Sequence, residues 1–180
     1  MPSKPLYPDD KLESLVRKCI IFPADGSQTH LVPMLARTVT VEDNTSLASY
    51  SRCIDTTSTF GDSSRKTRVM AHRSTRDGVQ TTYLFFYNLS PDLPINLNVA
   101  NLIGETPSNL NIQKRLFWRG DVVVMKVQST SESINSMVES LDADLFDLRP
   151  LEEFLQEKYR ERIFECILHD DERKCEQECR

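Results

Sequence analysis

The sequence predicts an α+β protein: a mostly antiparallel sheet with one packed helix at about residues 107–118 and helices at the C-terminus. Three observations lead to this class. Two β-rich runs flank Asp77-Gly78, a common turn pair, so residues 67–73 and 79–88 are expected to form a hairpin. The apolar run Tyr83–Tyr87 is typical of a central strand that is covered on both faces. Residues 151–180 repeat apolar side chains at helical spacing.

The remaining elements follow from shorter patterns. Leu12, Leu15, Val16 and Cys19 recur at helical spacing and predict a short N-terminal helix, followed by a strand at 19–22. Alternation of apolar and polar residues, or a run of β-branched residues, predicts further strands near 37–41, 95–103 and 121–127. Residues 128–149 are expected to be polar and then helical, up to a break at Pro150.

The packed helix at 107–118 is predicted from its ends. Thr106 can cap it and Pro107 suits its first turn, while Gly120 is expected to end it in a left-handed conformation. A hairpin turn between residues 115–118 and 122–127 is the alternative. An adhesion signal at Arg119-Gly120-Asp121 is disfavoured, because such a signal needs an extracellular loop and residues 1–14 show no apolar signal core.

Two organisational units are expected. Residues 1–149 would form an α+β core domain with a polar loop at 42–66, a segment rich in Ser and Thr. Residues 150–180 would form a C-terminal amphipathic helical segment, which could lie on the sheet of the same chain or pair with another chain. The candidate partner-binding residues are Leu151, Phe154, Leu155, Tyr159, Ile163 and Ile167.

Composition narrows the class of function. No run of about 18 apolar residues is present, so no membrane span is expected. The chain has 5 cysteines, an odd number at irregular spacing, which favours reduced thiols and a cytoplasmic or nuclear protein. The net charge of −5 gives no bulk attraction to nucleic acid, and we expect no cofactor.

A local basic patch stands against this acidic background. Residues 65–76 carry five basic residues and a histidine with no acid, and such a patch could bind phosphate or an RNA backbone. The alternative is an edge strand that its charges protect from aggregation. The candidate residues are Arg65, Lys66, Arg68, His72, Arg73 and Arg76.

Two acid- or thiol-rich segments could hold a metal ion, although neither site is favoured. Cys166, His169, Cys175 and Cys179 are competent zinc ligands. On one unbroken helix, however, Cys166 and Cys175 would lie about 13 Å apart, so a shared ion would require a turn between them. Asp142, Asp144 and Asp147 could bind a divalent cation or could serve as helix-terminus acids.

Catalytic signatures are missing from the sequence. It contains no nucleophile elbow, phosphate-cradling glycine loop or metalloprotease motif. Cys53 with His30 or His72 could form a thiol–imidazole pair, but a buried inert thiol is the better interpretation. We therefore expect a non-enzymatic intracellular interaction module that uses its C-terminal helix, with a protein partner or self-association. The alternatives are phosphate or RNA binding through residues 65–76, and an enzyme of unknown class.

Overall fold

The computed structural model describes residues 14–37, 39–41, 54, 60, 67–76, 79–88, 90–103, 118–129 and 136–178. An antiparallel sheet with a long C-terminal helix and a short helix confirms the α+β class. The predicted helix at 107–118 lies outside the described residues, except for Trp118. In chain order, the described elements are strands β1 (Ser14–Phe22), β2 (His30–Arg37), β3 (Val39–Val41), β4 (Thr67–Arg76) and β5 (Val79–Asn88), helix α1 (Leu97–Ile103), strands β6 (Arg119–Ser129) and β7 (Ser136–Leu141), a 3-10 turn (Leu145–Asp147) and helix α2 (Leu148–Glu178).

The strands form one sheet in the order β2-β1-β6-β5-β4, and β7 pairs with both β6 and β3. All of these pairings are antiparallel. Arg76 pairs with Val79, so the predicted hairpin is present, with Asp77-Gly78 between its strands. Among the described strands, β2 and β4 are the two ends of the five-strand path.

Both faces of the sheet are covered, as the apolar run in β5 predicts. Leu84 and Phe86 belong to a core on one face, together with alternate residues of β6 such as Val123. Tyr83 and Phe85 belong to the core on the other face, which also contains the first apolar residues of α2. Because side chains alternate along a strand, consecutive aromatic residues supply both cores.

The N-terminal helix predicted from Leu12 to Cys19 is wrong, because residues 14–22 form β1. This strand pairs with β2 along its length and with β6 at residues 20–22. Cys19, Ile20 and Phe22 are fully buried in the two cores, while Val16 is 64% exposed. The apolar spacing in this segment is compatible with either element, and pairing on both sides selects the strand.

The strand predicted at 95–103 is also wrong, because residues 97–103 form α1. Asn96 accepts a hydrogen bond from the Val99 backbone N–H at 2.9 Å, the geometry of an N-cap. Its side-chain amide also donates to the Phe22 and Gly120 carbonyls, both at 2.8 Å. The alternating asparagines thus reflect capping and loop contacts rather than the wet face of a strand.

Gly120 lies inside β6 rather than at a helix end. Its φ is +65°, and the register between β5 and β6 shifts here: Phe86 pairs with Val123, but Asn88 pairs with Arg119. Two extra residues of β6 therefore form a bulge. A Cβ at position 120 would lie 3.1 Å from Leu93 Cδ1, so glycine suits both the conformation and the space.

The segment at 128–149, which the sequence predicts to be polar and then helical, contains a strand. Instead of a helix, residues 136–141 form β7, which pairs with β3 and β6. Pro150 stands in the first turn of α2, where the missing N–H costs no helical hydrogen bond. Among the described helices, none is long and apolar enough to cross a bilayer.

The polar loop predicted at 42–66 lies mostly outside the described residues. Two of its residues are described, and both contact the core. Ile54 is 3% exposed and forms an isolated bridge with Ala36. Phe60 is half-buried and packs on the core opposite α2. Ile54 and Phe60 therefore help to cover the face of the sheet that α2 leaves open.

Candidate binding groove

A groove of about 340 Å³ lies where the start of β4 and the end of β5 meet the middle of α2. We call it the α2 groove. The strands contribute its apolar side, and α2 contributes charged side chains. Its lining residues are Arg68, Met70, Tyr87, Trp118, Lys158, Glu161, Arg162 and Glu165.

The apolar side of the groove is aromatic. Tyr87 and Trp118 stack with ring centroids 5.1 Å apart and planes 22° from parallel. Trp118 is 6% exposed and is therefore fixed by the core behind it. Met70 packs against the same core, and a thioether beside aromatic rings adapts to apolar groups of different shape. The groove thus has a firm aromatic wall and one flexible apolar side chain.

The charges at the groove are mixed, with three basic and two acidic side chains. Lys158 is paired with Glu161 at 2.6 Å. Arg68 is exposed and forms no hydrogen bond or ion pair with another described residue. The lining residues carry a net charge of +1. The groove therefore favours an apolar ligand group that has a negatively charged group beside it.

A network at the start of α2 fixes the helix that forms one wall of the groove. The buried Asp147 carboxylate accepts from the Tyr83 hydroxyl at 2.6 Å and from Lys126 Nζ at 3.1 and 3.2 Å. It also accepts from the Asp144 backbone N–H at 2.9 Å, which completes a capping box. Charge-assisted hydrogen bonds of this kind tie the first turn to β5 and β6.

His72 supports the helix further along. Its ring stacks on Phe154 with centroids 4.0 Å apart. Burial is the main influence and lowers the pKa of His72 below its ordinary value, while Glu157 raises this pKa and Lys158 lowers it. A neutral imidazole therefore suits this contact. Lys158, which lines the groove, has its Nζ 5.8 Å from the centre of the Phe154 ring.

The apolar stripe of the C-terminal helix covers the sheet of its own chain over its first half. Leu151, Phe154, Leu155 and Tyr159 are at most 6% exposed and are not open to a partner while α2 is docked. This is one of the two alternatives that the sequence leaves open. Ile163 is half-buried, and the side chain of Ile167 lies outside the described residues.

The structure separates the basic residues of the hairpin. Arg68 and His72 lie on the face of β4 that meets α2, whereas the exposed Arg73 lies on the opposite face, because strand side chains alternate. Arg65, Lys66 and the side chain of Arg76 lie outside the described residues. The described basic side chains thus do not form one continuous phosphate-binding surface.

The C-terminal thiols stand on a continuous helix. Because α2 runs unbroken to Glu178, Cys166 and Cys175 are separated by about 13 Å along its axis, and the turn that a shared zinc ion would need is not formed. The side chains of Cys166, His169 and Cys175, and all of Cys179, lie outside the described residues. Within the described part of the chain, no cluster of metal-binding side chains is found.

The three aspartates before α2 are occupied by backbone and ion-pair contacts. Asp142 accepts from the Lys18 backbone N–H at 2.8 Å, and Asp144 accepts from the Phe146 N–H at 2.7 Å. With Asp147 bound to Lys126, these carboxylates act as caps and anchors. This matches the second of the two interpretations that the sequence allows.

Of the residues considered for catalysis, the two histidines lie far apart in the sheet. His30 lies on β2 and His72 on β4, at opposite ends of the strand path, and Cys53 lies outside the described residues. Burial, to which the charge of Asp142 adds, raises the pKa of the Cys19 thiol to about 12. That thiol is therefore protonated and unreactive at neutral pH.

A larger open cavity of about 790 Å³ lies beside the Arg119-Gly120-Asp121 tripeptide at the start of β6. The two charged groups of the tripeptide hold backbone segments. Arg119 Nη1 donates to the Leu93 carbonyl at 2.8 Å, and Asp121 Oδ1 accepts from the Ala24 N–H at 2.8 Å. The tripeptide is thus a structural clamp between two loops.

Comparison with known proteins gives no relative: no family model, no curated protein and no solved structure matches the chain. The sequence points to Arg68 as one groove residue, but not to Lys158 or to the contact between Tyr87 and Trp118. Trp118 stands out in the sequence because it is the only tryptophan. Its position beside β5, however, depends on the pairing of β5 with β6.

Proposed function

We propose that the protein is a non-enzymatic binding module that engages a helical segment of another protein through residues 160–178 of α2. We call these residues the helical extension. The observation that carries the proposal is that α2 continues to Glu178, well beyond Tyr159, the last buried apolar side chain among those that the structure describes. At 1.5 Å per residue, the extension is roughly 28 Å long.

The extension offers apolar surface soon after it leaves the core. Phe164 is 66% exposed, and Ile163 is covered only in part. The sequence continues with Ile167 and Leu168 among charged residues. A short apolar run between charges on a helix is typical of helix–helix association, so a partner helix with the same character is the occupant we expect.

The chain itself gives a suitable pair of variants for the test. Phe164→Glu places a charge on the extension at an exposed position, and Leu35→Glu does the same on β2, where Leu35 is 47% exposed. Both substitutions leave the buried residues untouched. A chain ending at Arg162 removes most of the extension and keeps Leu151 to Tyr159.

The measurement is quantitative capture of proteins from a cell lysate by the full chain, with and without nuclease. We expect Phe164→Glu and the chain ending at Arg162 to lose the same protein, which Leu35→Glu and nuclease treatment leave bound. A helical peptide from that protein should then bind the purified full chain directly. Capture that is indifferent to both changes in the extension contradicts the proposal. Capture that nuclease abolishes favours nucleic-acid binding instead.

A further inference from the structure

Two adjacent apolar side chains are exposed in the 3-10 turn that precedes α2. Leu145 is 60% exposed and Phe146 is 83% exposed. Among the described residues, Phe146 is the most exposed large apolar side chain. We call Leu145 and Phe146 the knob. These two neighbouring apolar side chains are open to contact with another molecule.

The backbone of the knob is held firmly although its side chains are in solvent. Asp144 Oδ1 accepts from the N–H groups of Phe146 and Asp147, at 2.7 and 3.2 Å. Asp147 is in turn bound to Tyr83 and Lys126. Because the turn is already ordered, inserting the knob into a pocket costs little conformational entropy.

The chain also carries a pocket with the matching chemistry. Tyr87, Trp118 and Met70 in the α2 groove offer an aromatic and thioether wall for a phenylalanine ring. The exposed acids Asp142 and Asp144 precede the knob, and Arg68 at the groove has no ion-pair partner among the residues that the structure describes. The groove has a net positive charge of one, so the two surfaces are complementary in polarity and in charge.

We propose that a second copy of this chain occupies the groove, with the knob of each copy inserted into the α2 groove of the other. Within one chain, the knob and the groove lie at opposite ends of the docked part of α2. Fourteen residues separate Asp147 from Glu161, which is about 21 Å along the helix, so a knob does not reach its own groove. A two-fold axis near the middle of this section brings both knobs to both grooves and closes the assembly as a dimer.

The test is sedimentation equilibrium of the full chain over a range of concentrations. We expect a dimer. We further expect Phe146→Lys and Arg68→Glu each to raise the dissociation constant of the dimer at least about tenfold. Each substitution is present in both copies and therefore weakens both knob–groove contacts. Leu97→Lys is the control, since Leu97 is 48% exposed on α1, away from both surfaces, and should dimerise like the unaltered chain.

Mixing the two variant chains makes the test specific. In the mixed dimer, the lysine at position 146 of one chain meets the glutamate at position 68 of the other, and the second contact is unaltered. We therefore expect mixing to restore dimers. Far-UV circular dichroism checks folding, and Phe146→Ser replaces Phe146→Lys if the lysine variant does not fold.

Three outcomes overturn the proposal: a monomer at every concentration, a dimer that is unaffected by either substitution, or two weakened variants that do not recover on mixing. The chain ending at Arg162 also removes Glu165 from the groove lining, so Phe164→Glu is the variant that separates this proposal from the one for the helical extension. Phe164→Glu changes the extension and leaves both the knob and the apolar wall of the groove in place.

Discussion

The two parts of α2 are one continuous helix, but their surroundings differ. From Leu148 to Tyr159, the helix buries four large apolar side chains against β5 and β6 and is tied at its start by Asp147. From Arg160 onward, the first apolar residues are half-buried or exposed. Both parts are helical, so helix formation does not distinguish them. They differ in whether the sheet covers their apolar side chains.

The largest difference between the two parts is expected in core packing. Leu151 is fully buried, and Leu151→Ala should lower the free energy of unfolding by about 3 kcal/mol, through lost burial and a residual cavity. Phe164→Ala should change it by no more than about 0.5 kcal/mol, because Phe164 is already 66% exposed. Urea denaturation measures both values. Similar losses would show that the extension is packed as firmly as the docked half.

A smaller effect should appear at the start of the helix. Asp147→Asn keeps the shape of the side chain but removes its negative charge. The carboxylate of Asp147 accepts hydrogen bonds from Lys126 Nζ and the Tyr83 hydroxyl. We expect a loss of about 2 kcal/mol, because a charged hydrogen-bonded partner is left unsatisfied next to the core.

The matched control is an exposed ion pair in the next turn of the helix. Arg149 and Glu153 pair at 3.1 Å, with side chains that are 88% and 65% exposed. Glu153→Gln should cost less than about 0.5 kcal/mol, since water screens such a pair. If the two substitutions cost the same in urea denaturation, Asp147 is not an anchor and α2 is held by apolar packing alone.

The parts of the fold that the sequence predicts correctly are those in which the local pattern and the tertiary environment agree. The run from Tyr83 to Tyr87 is apolar on both sides and becomes a strand with two cores. The Asp77-Gly78 pair lies between strands that are β-rich on their own. The C-terminal helix shows its period over several turns, although this period alone leaves open whether the helix covers its own sheet or pairs with another chain.

The errors fall where side-chain hydrogen bonds or strand pairing decide the outcome. The alternation at 95–103 is real, but Asn96 caps a helix with its oxygen and binds two distant carbonyls with its amide. Residues 14–19 have helical spacing but pair with β2. The local spacing of apolar residues contains no information about which distant segment a strand pairs with.

The candidate groove could be predicted only in part for the same reason. Arg68 is visible in the sequence as a member of a basic run. Its neighbours across the groove come from β5, from the entry to β6 and from α2, so their meeting depends on the topology of the sheet. In the sequence, the knob is only Leu145 and Phe146 between two aspartates, and the 3-10 turn that Asp144 caps is a feature of the folded chain.

The smallest effect concerns the contact between His72 and the docked half of α2. Burial lowers the pKa of His72 in the folded protein, so protonation favours the unfolded chain. Stability should therefore be lost as the pH falls through about 6.5, the ordinary value for histidine, toward the lower pKa of the folded state. His72→Gln removes this contribution, and the free energy of unfolding should then fall less steeply between about pH 7.5 and 5.5.

The slope of stability against pH is the quantity to compare, because His72→Gln also loses the stacking contact with Phe154 and shifts the whole curve. A His72→Gln variant with the same slope as the unaltered chain would mean that acid reaches the imidazole without disturbing the helix. The docked half of α2 would then be less tightly closed over β4 than its burial indicates.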